Sequence, residues 1–219
     1  MAAGAGKVTV LLVDDHAVVR EGYRRLLERR GDIVVLGEAA NAQDAQELFS
    51  KLSPQVVVMD IALPGISGIE AMRRILEQQP GTRVLIFSMY EDAIFANRAL
   101  QAGACGYVTK ASAPNVLVEA VHAVARGKKY ISADVAQELA LRNVAADSRA
   151  ADGLSAREFE VLRLLSQGRS VRDIAQTLGL NPKTVANHQS AIKQKLGADT
   201  AVQLLRIAGS LGLNPEKPQ

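Results

Sequence analysis

Val56-Val57-Val58-Met59-Asp60-Ile61-Ala62-Leu63-Pro64-Gly65 is the stretch from which the fold is read. Four apolar residues, three of them β-branched, run straight into a carboxylate, and Pro64-Gly65 then turns the chain. A short unbroken apolar run closed by turn residues is a strand buried on both faces, as in a parallel sheet. An acid at the C-terminal end of such a strand stands where open α/β sheets bind ligands. Asp60 is therefore a candidate phosphoryl-accepting nucleophile. On this stretch alone, the plainer account is an Asp that stops a strand and opens a turn.

The flanking sequence changes that balance. Apolar runs at Val8–Val13, Ile33–Leu36, Val84–Phe87 and Gly106–Thr109 read as four more strands. Between them, apolar pairs recur at helical spacing: Val18, Val19, Gly22, Tyr23, Leu26 and Leu27; then Ala45, Leu48, Phe49 and Leu52; then Ile69, Met72, Ile75 and Leu76. Two further helices are expected over 94–102 and 116–125, ended by Gly103 and Gly127. Strand and helix alternate five times, which predicts a five-stranded, doubly wound parallel sheet of the α/β class. In such a sheet all C-terminal strand ends share one edge. Asp14 and Asp15, Asp60, Ser88 and Lys110 each follow or close a strand, so this edge gathers three carboxylates, a hydroxyl and an ammonium.

That grouping has a chemical use. Two carboxylates ~4 Å apart repel by roughly 4 kcal/mol at an effective dielectric near 20. A divalent cation with a taste for hard oxygen, Mg²⁺, removes this cost and also binds phosphate oxygens. Asp60 then attacks phosphorus, Lys110 neutralises the phosphoryl oxygens and Ser88 donates a hydrogen bond to one of them. Dinucleotide binding would want GxGxxG after the first strand, where this chain has Asp14-Asp15-His16-Ala17-Val18-Val19. A haloacid-dehalogenase-type phosphatase would want a second acid at Ala62. His16 is expected to cap or pack, Cys105 to be a small buried apolar residue, and Met59 and Met72 to be core.

Bulk composition sets the outer bounds. The 219 residues are 48% apolar, enough for a packed core, with one Cys and therefore no intrachain disulfide, so a reducing, cytoplasmic location is expected. The apolar N-terminal run is too short for a membrane span. Charge is uneven: residues 1–128 hold 14 basic and 14 acidic side chains, 129–149 hold three of each, and 150–219 hold nine basic and six acidic. The whole net charge of +3 thus lies in the last segment, as a polyanion partner would favour.

Val13-Asp14-Asp15-His16, Met59-Asp60 through Gly68, Phe87-Ser88-Met89-Tyr90 and Gly103 through Lys110 together resemble the receiver domain of bacterial two-component response regulators, over residues 7–128. The resemblance implies phosphorylation of Asp60 by a sensor histidine kinase. It also implies Mg²⁺ ligation by Asp15, Asp60 and the Ala62 carbonyl, with Asp14 acting through water, and a switch in which Ser88 moves as Tyr107 changes rotamer. Ala111 and Ser112 depart from what commonly follows the receiver lysine, which leaves the shape of that loop open.

Residues 129–149 read as a linker with a short helix, and 150–219 as a second domain. Leu154-Ser155-Ala156-Arg157-Glu158 is a capping box, with Leu154 and Phe159 placed for a hydrophobic staple. A helix bearing Val171, Ile174, Ala175 and Leu178 is followed after Gly179-Leu180-Asn181 by another beginning at Pro182. Two short helices joined through a Gly-containing turn form a helix-turn-helix. Val185, His188, Ile192 and Leu196 are expected inside. Lys183, Ala186, Asn187, Ser190, Lys193 and Gln194 are expected outside, with Thr184 beside them. Asn187 suits an adenine edge, and Lys183 and Lys193 suit phosphates. A last helix would bury Val202, Leu205 and Ala208.

This part resembles the LuxR-type DNA-binding domain, with Ala186 where a Lys is frequent, and the whole chain resembles the NarL/FixJ class of transcriptional regulators. The resemblance implies a non-enzymatic switch, with only weak self-phosphorylation and self-dephosphorylation. It implies binding to double-stranded DNA as a homodimer once phosphorylated. The rival readings are a regulator indifferent to phosphorylation and a Mg²⁺-dependent aspartyl-phosphate hydrolase.

Overall fold

The computed structural model describes residues 6–144, 153–211 and 213. Two compact units divide at Leu141 and Arg142. The first contains β1 (Val8–Val13), α1 (Ala17–Glu28), β2 (Ile33–Ala39), α2 (Ala42–Leu52), β3 (Val56–Met59), α3 (Gly68–Gln78), β4 (Arg83–Ser88), α4 (Ala93–Gln101), β5 (Gly106–Thr109), α5 (Pro114–Ala125) and β6 (Tyr130–Ile131). The next helix, α6 (Ala133–Val144), follows directly. All strand pairs are parallel, in the order β2-β1-β3-β4-β5-β6.

The inner strands are apolar on both faces because helices cover both. Every residue of β3 is buried, and Val10 through Val13 of β1 and Val84 through Phe87 of β4 are no more than 4% exposed. Helix ends are chemically marked. Asn41, Ser67 and Asp92 cap α2, α3 and α4 by accepting from the amides of Asp44, Glu70 and Ile94. On α1 the outcome differs from the expected stripe: Leu27 is buried, but Val18 is 87% exposed and Gly22 also faces solvent.

The sheet has six strands, not five. Tyr130 and Ile131 pair with Gly106 and Tyr107, within the segment expected to be a linker. Two residues are too few to show a period, so β6 left no signal in the sequence. Gly106 is what admits it, since a Cβ there would lie 2.5 Å from the Tyr130 carbonyl oxygen. Residues 129–141 belong to the first compact unit, whereas 145–149, the end of the expected linker, lie outside the described residues.

β5 is tied further to the start of α6. Ser132 N–H donates to the Tyr107 carbonyl at 3.0 Å. Thr109 Oγ1 donates to Asp134 Oδ2 at 2.6 Å and lies 2.9 Å from Ser112 Oγ. Partial burial works against charge on Asp134, but the nearby Ser132 hydroxyl, the Thr109 hydrogen bond and main-chain amides outweigh it and hold its pKa below the usual 3.8.

Among the described residues the second unit is all-helical: α7 (Ala156–Ser166), α8 (Val171–Thr177), α9 (Pro182–Leu196) and α10 (Ala201–Ser210). The capping box of α7 is formed: Glu158 N–H donates to Ser155 Oγ at 3.2 Å, and Ser155 N–H to Glu158 Oε2 at 2.6 Å. A second box, Ser170 with Asp173, opens α8. Leu154 and Phe159 are both buried.

The face of α10 corrects the sequence expectation. Leu204, Ala208 and Leu211 are buried, while Val202 is 70% and Leu205 46% exposed. Apolar residues occupy two sides of this helix, both at helical spacing, and only docking against its neighbours selects one.

Two outcomes follow. The methyl group of Gly68→Ala would overlap the Asp60 carbonyl oxygen, a main-chain atom that cannot turn aside. Urea denaturation should show a loss of about 1–3 kcal/mol, the usual cost of overpacking. For Asp134→Asn, the deficit against wild type should be full at neutral pH. It should shrink as pH falls through the usual carboxylate value of 3.8 and below, because a lowered folded-state pKa stabilises only while the group is ionised. Denaturant midpoints at pH 7 and pH 3 would measure it.

Candidate functional site

Register brings the site together. Val13 lies opposite Met59 and Met59 opposite Ile86, so β1 and β3 end level. Ser88 lies opposite Thr109, so β4 and β5 do too. Main-chain bonds extend the match beyond the strands, from Asp60 N–H to the Val13 carbonyl at 2.9 Å and from Lys110 N–H to the Ser88 carbonyl at 2.8 Å.

At this edge the Lys110 ammonium bridges two acids. Its Nζ donates to Asp14 Oδ2 and to Asp60 Oδ2, at 2.6 Å each. All three side chains are at least 94% buried. Burial disfavours the Lys110 charge, but Asp60 and Asp14 more than offset this and raise its pKa, so the ammonium stays protonated. Burial, helped by Asp14, pushes the Asp60 carboxyl up, against the pull of Lys110 and of the Ala62 amide. The Ala62 amide donates to Asp60 Oδ1 at 3.3 Å, which fixes the loop directly after the acid.

Asp15 lies at the mouth, its side chain 32% exposed. Oxygen and nitrogen donors of Asp14, Asp15 and His16 lie within 4.8 Å of one another, close enough for one cation. His16 holds the N-cap position of α1, where its carbonyl accepts from the Arg20 amide at 2.9 Å, but its side chain makes no cap bond, is 67% exposed, and places Nδ1 2.7 Å from Asp15. Ser88 is buried, and its Oγ accepts from the Tyr90 amide at 3.3 Å. Tyr107 is fully buried, and its hydroxyl donates to the Tyr90 carbonyl at 2.6 Å. Burial holds the Tyr107 phenol well above its usual range, so it remains a donor. Tyr90 in turn stacks on Phe95 at 4.2 Å.

Two contributors had no role read for them in the sequence. Gly68 passes against the Asp60 main chain, and its amide donates to the Ile61 carbonyl at 2.8 Å. Arg20 donates from Nη1 to the Asp14 carbonyl at 2.5 Å and from Nε to Glu38 Oε2 at 3.0 Å. One signal was present for Arg20: Arg24 follows four residues later, and like charges at that spacing on a helix need an acid from another element.

In the second unit, α9 presents Lys183, Ala186, Asn187, Ser190 and Gln194 to solvent, whereas Thr184, His188 and Lys193 are half-buried. Val185 and Ile192 are buried as expected. Leu196 is only half-buried. Ser190 Oγ donates to the Ala186 carbonyl at 3.0 Å. Burial lowers the His188 pKa, so its ring is neutral at physiological pH. Beneath this surface Arg157 donates to Glu160 Oε2 at 2.7 Å and to the Leu178 carbonyl at 3.1 Å, and Lys195 reaches Glu158 at 2.7 Å.

Comparison with known proteins agrees with both units. Residues 10–122 match the response regulator receiver domain, and residues 152–208 match the bacterial regulatory proteins of the luxR family. Response regulator GacA of Pseudomonas aeruginosa is 36% identical over 208 residues, covering 94% of this chain and 97% of its own. The transcriptional activator protein ExaE of Pseudomonas putida is 37% identical, covering 93% and 97% respectively. Among solved structures, a LuxR-family response regulator from Aurantimonas matches with TM-score 0.62 and 48% identity, over 64% of this chain and 99% of its own. RcsB of Salmonella enterica serovar Typhimurium, bound to promoter DNA in the presence of a phosphomimetic, matches with TM-score 0.61 and 29% identity, over 94% of this chain and 100% of its own. A buried acid–lysine edge on a parallel sheet, followed by a capped helix-turn-helix, thus has full-length counterparts, and the chain belongs to the DNA-binding two-component response regulators of the NarL/FixJ class.

Proposed function

We propose that this chain is a transcription regulator whose DNA binding is governed by phosphorylation of Asp60 by a sensor histidine kinase, with Mg²⁺ as cofactor. The observation that carries the reading is the Lys110 ammonium shared between Asp14 and Asp60, 2.6 Å from each, on the level edge of the sheet. One carboxylate oxygen of Asp60 attacks phosphorus, the bond from phosphorus to the leaving group breaks, and the leaving group departs with the electron pair. Lys110, already protonated, exchanges its bond to Asp60 for one to the new phosphoryl oxygens. Ser88, one strand away, donates to another of these oxygens. Turning toward that oxygen moves Ser88 Oγ away from the Tyr90 amide it accepts from, and Tyr90 holds Tyr107 through its carbonyl, so the two switch residues are coupled through the main chain of Tyr90.

Carboxylate oxygens suit a hard divalent cation: those of Asp14 and Asp15 lie together beside His16, Asp60 shares Lys110 with Asp14, and the Ala62 carbonyl is in the loop that follows Asp60. Asp15, Asp60 and that carbonyl would hold the ion, with Asp14 adjacent. When bound, it offsets negative charge on the incoming phosphoryl group. Phosphorylation biases a two-state equilibrium, and the active state binds paired DNA half-sites as a homodimer in the cytoplasm. On α9, Lys183 and Lys193 contact phosphates. Asn187 and Ser190 face base edges, Thr184, Ala186 and His188 line the same contact, and Ala186 contributes only a methyl group.

Intact mass spectrometry after incubation with acetyl phosphate and Mg²⁺ should show one added phosphoryl group on wild type and none on Asp60→Asn. An undiminished adduct on Asp60→Asn would overturn the assignment. Lys110→Ala should still fold but give little stable change in DNA affinity on phosphorylation, read by fluorescence anisotropy. Lys183→Ala should weaken binding to unrelated duplexes alike and flatten the log–log salt slope by about 0.9, the contribution of one phosphate contact. An unchanged slope would remove Lys183 from the interface.

A further inference from the structure

We infer that Arg20 is a positioning residue for the cation and phosphoryl site, acting through the main-chain carbonyl of Asp14 and the carboxylate of Glu38. This rests on the reading of the acid pocket proposed above. Asp14 is restrained at every polar atom it has. Its amide donates to the Ala39 carbonyl at 3.0 Å, its Oδ1 accepts from the His16 amide at 2.9 Å, and its Oδ2 accepts from Lys110 at 2.6 Å. The remaining group, the carbonyl, points past the end of the sheet ladder and takes its hydrogen bond from Arg20 Nη1.

That carbonyl belongs to the peptide unit joining Asp14 to Asp15. Holding it fixes the plane from which the Asp15 side chain departs. Asp15 is the more exposed of the two acids and has less around it, with His16 at 2.7 Å. Arg20 is itself held. Its Nε donates to Glu38 of β2, and the other Glu38 oxygen accepts from Arg24 Nη1 at 2.8 Å. Side-chain exposure is 16% for Arg20 and 23% for Glu38, against 44% for Arg24. The planar guanidinium supplies two donors at fixed separation, one for each partner, which a single ammonium cannot reproduce in the same geometry. Groups behind metal ligands commonly change affinity by roughly 10–100-fold when removed. Arg24 offers an internal control, because it shares Glu38 but is not bonded to Asp14.

The test uses the full chain and Mn²⁺ as the probe, with free Mn²⁺ followed by electron paramagnetic resonance. Thermal midpoints are recorded without metal for each variant. Arg20→Ala should weaken Mn²⁺ binding roughly 10–100-fold, and Arg20→Lys should fall between it and wild type. Arg24→Ala should stay within about threefold even if its thermal midpoint drops as far as that of Arg20→Ala. Acetyl phosphate labelling of Arg20→Ala should be slow at limiting Mg²⁺ and recover at saturating Mg²⁺. Wild-type-like Mn²⁺ affinity in Arg20→Ala, with affinity lost in Asp15→Asn, would overturn the role of Arg20 alone. Equal losses in Arg20→Ala and Arg24→Ala would also overturn it, in favour of a general bracing of the helix. Mn²⁺ binding that is absent from wild type, or undiminished in Asp15→Asn, would overturn the reading of the pocket and this inference with it.

Discussion

Two carboxylates and one ammonium, buried together at the end of a parallel sheet, set the terms for the rest of the first unit. Asp14 and Asp60 could not both be ionised and dry without Lys110 between them, since an unpaired buried charge is among the costliest arrangements a protein can hold. The three come from β1, β3 and β5, and their meeting demands that these strands end level. The register meets that demand through β4, which carries Ser88 to the same edge. A one-residue slip of β3 would turn Asp60 into the helices and bring an apolar neighbour to the pocket.

The loops leaving that edge are shaped by the same demand. Gly68 lies so close to the Asp60 carbonyl that no side chain fits, and Ser67 caps α3 immediately before it. The chain therefore leaves Asp60, turns through Pro64 and Gly65 and enters a helix without displacing the acid. On either side of Lys110, Thr109 and Ser112 gather on Asp134, so β5 is secured on its outer side by α6 as well as by β6. β5 thus carries Tyr107, Thr109 and the approach to Lys110 on one short strand, each with a partner beyond the sheet ladder.

The second unit solves a different problem with similar economy. A small helical domain has little apolar surface to bury, and its helices depend on their ends. Both α7 and α8 open with capping boxes, and α9 opens with Asn181 and Pro182. Arg157 and Glu160 are buried as a pair, and Arg157 also satisfies the Leu178 carbonyl at the end of α8. Charge inside this unit is spent on holding helix ends together, which leaves the outward side of α9 polar and free of structural duty, as a surface for DNA requires.

Local signals in the chain determined which segments are strands and helices, the parallel alternation, the acids and lysine at the strand ends, and the capped helix-turn-helix. These are short-range matters of periodicity, turn chemistry and spacing. β6, the choice of Leu204 over Val202 and Leu205, the Thr109–Asp134 tie and the hold of Arg20 on Asp14 were settled only by tertiary structure. A two-residue strand has no period, a helix apolar on two sides offers two equal faces, and a hydrogen bond to a carbonyl leaves no trace in residue identity. Which partner each of these finds depends on what the folded chain brings beside it, and no window of sequence contains that.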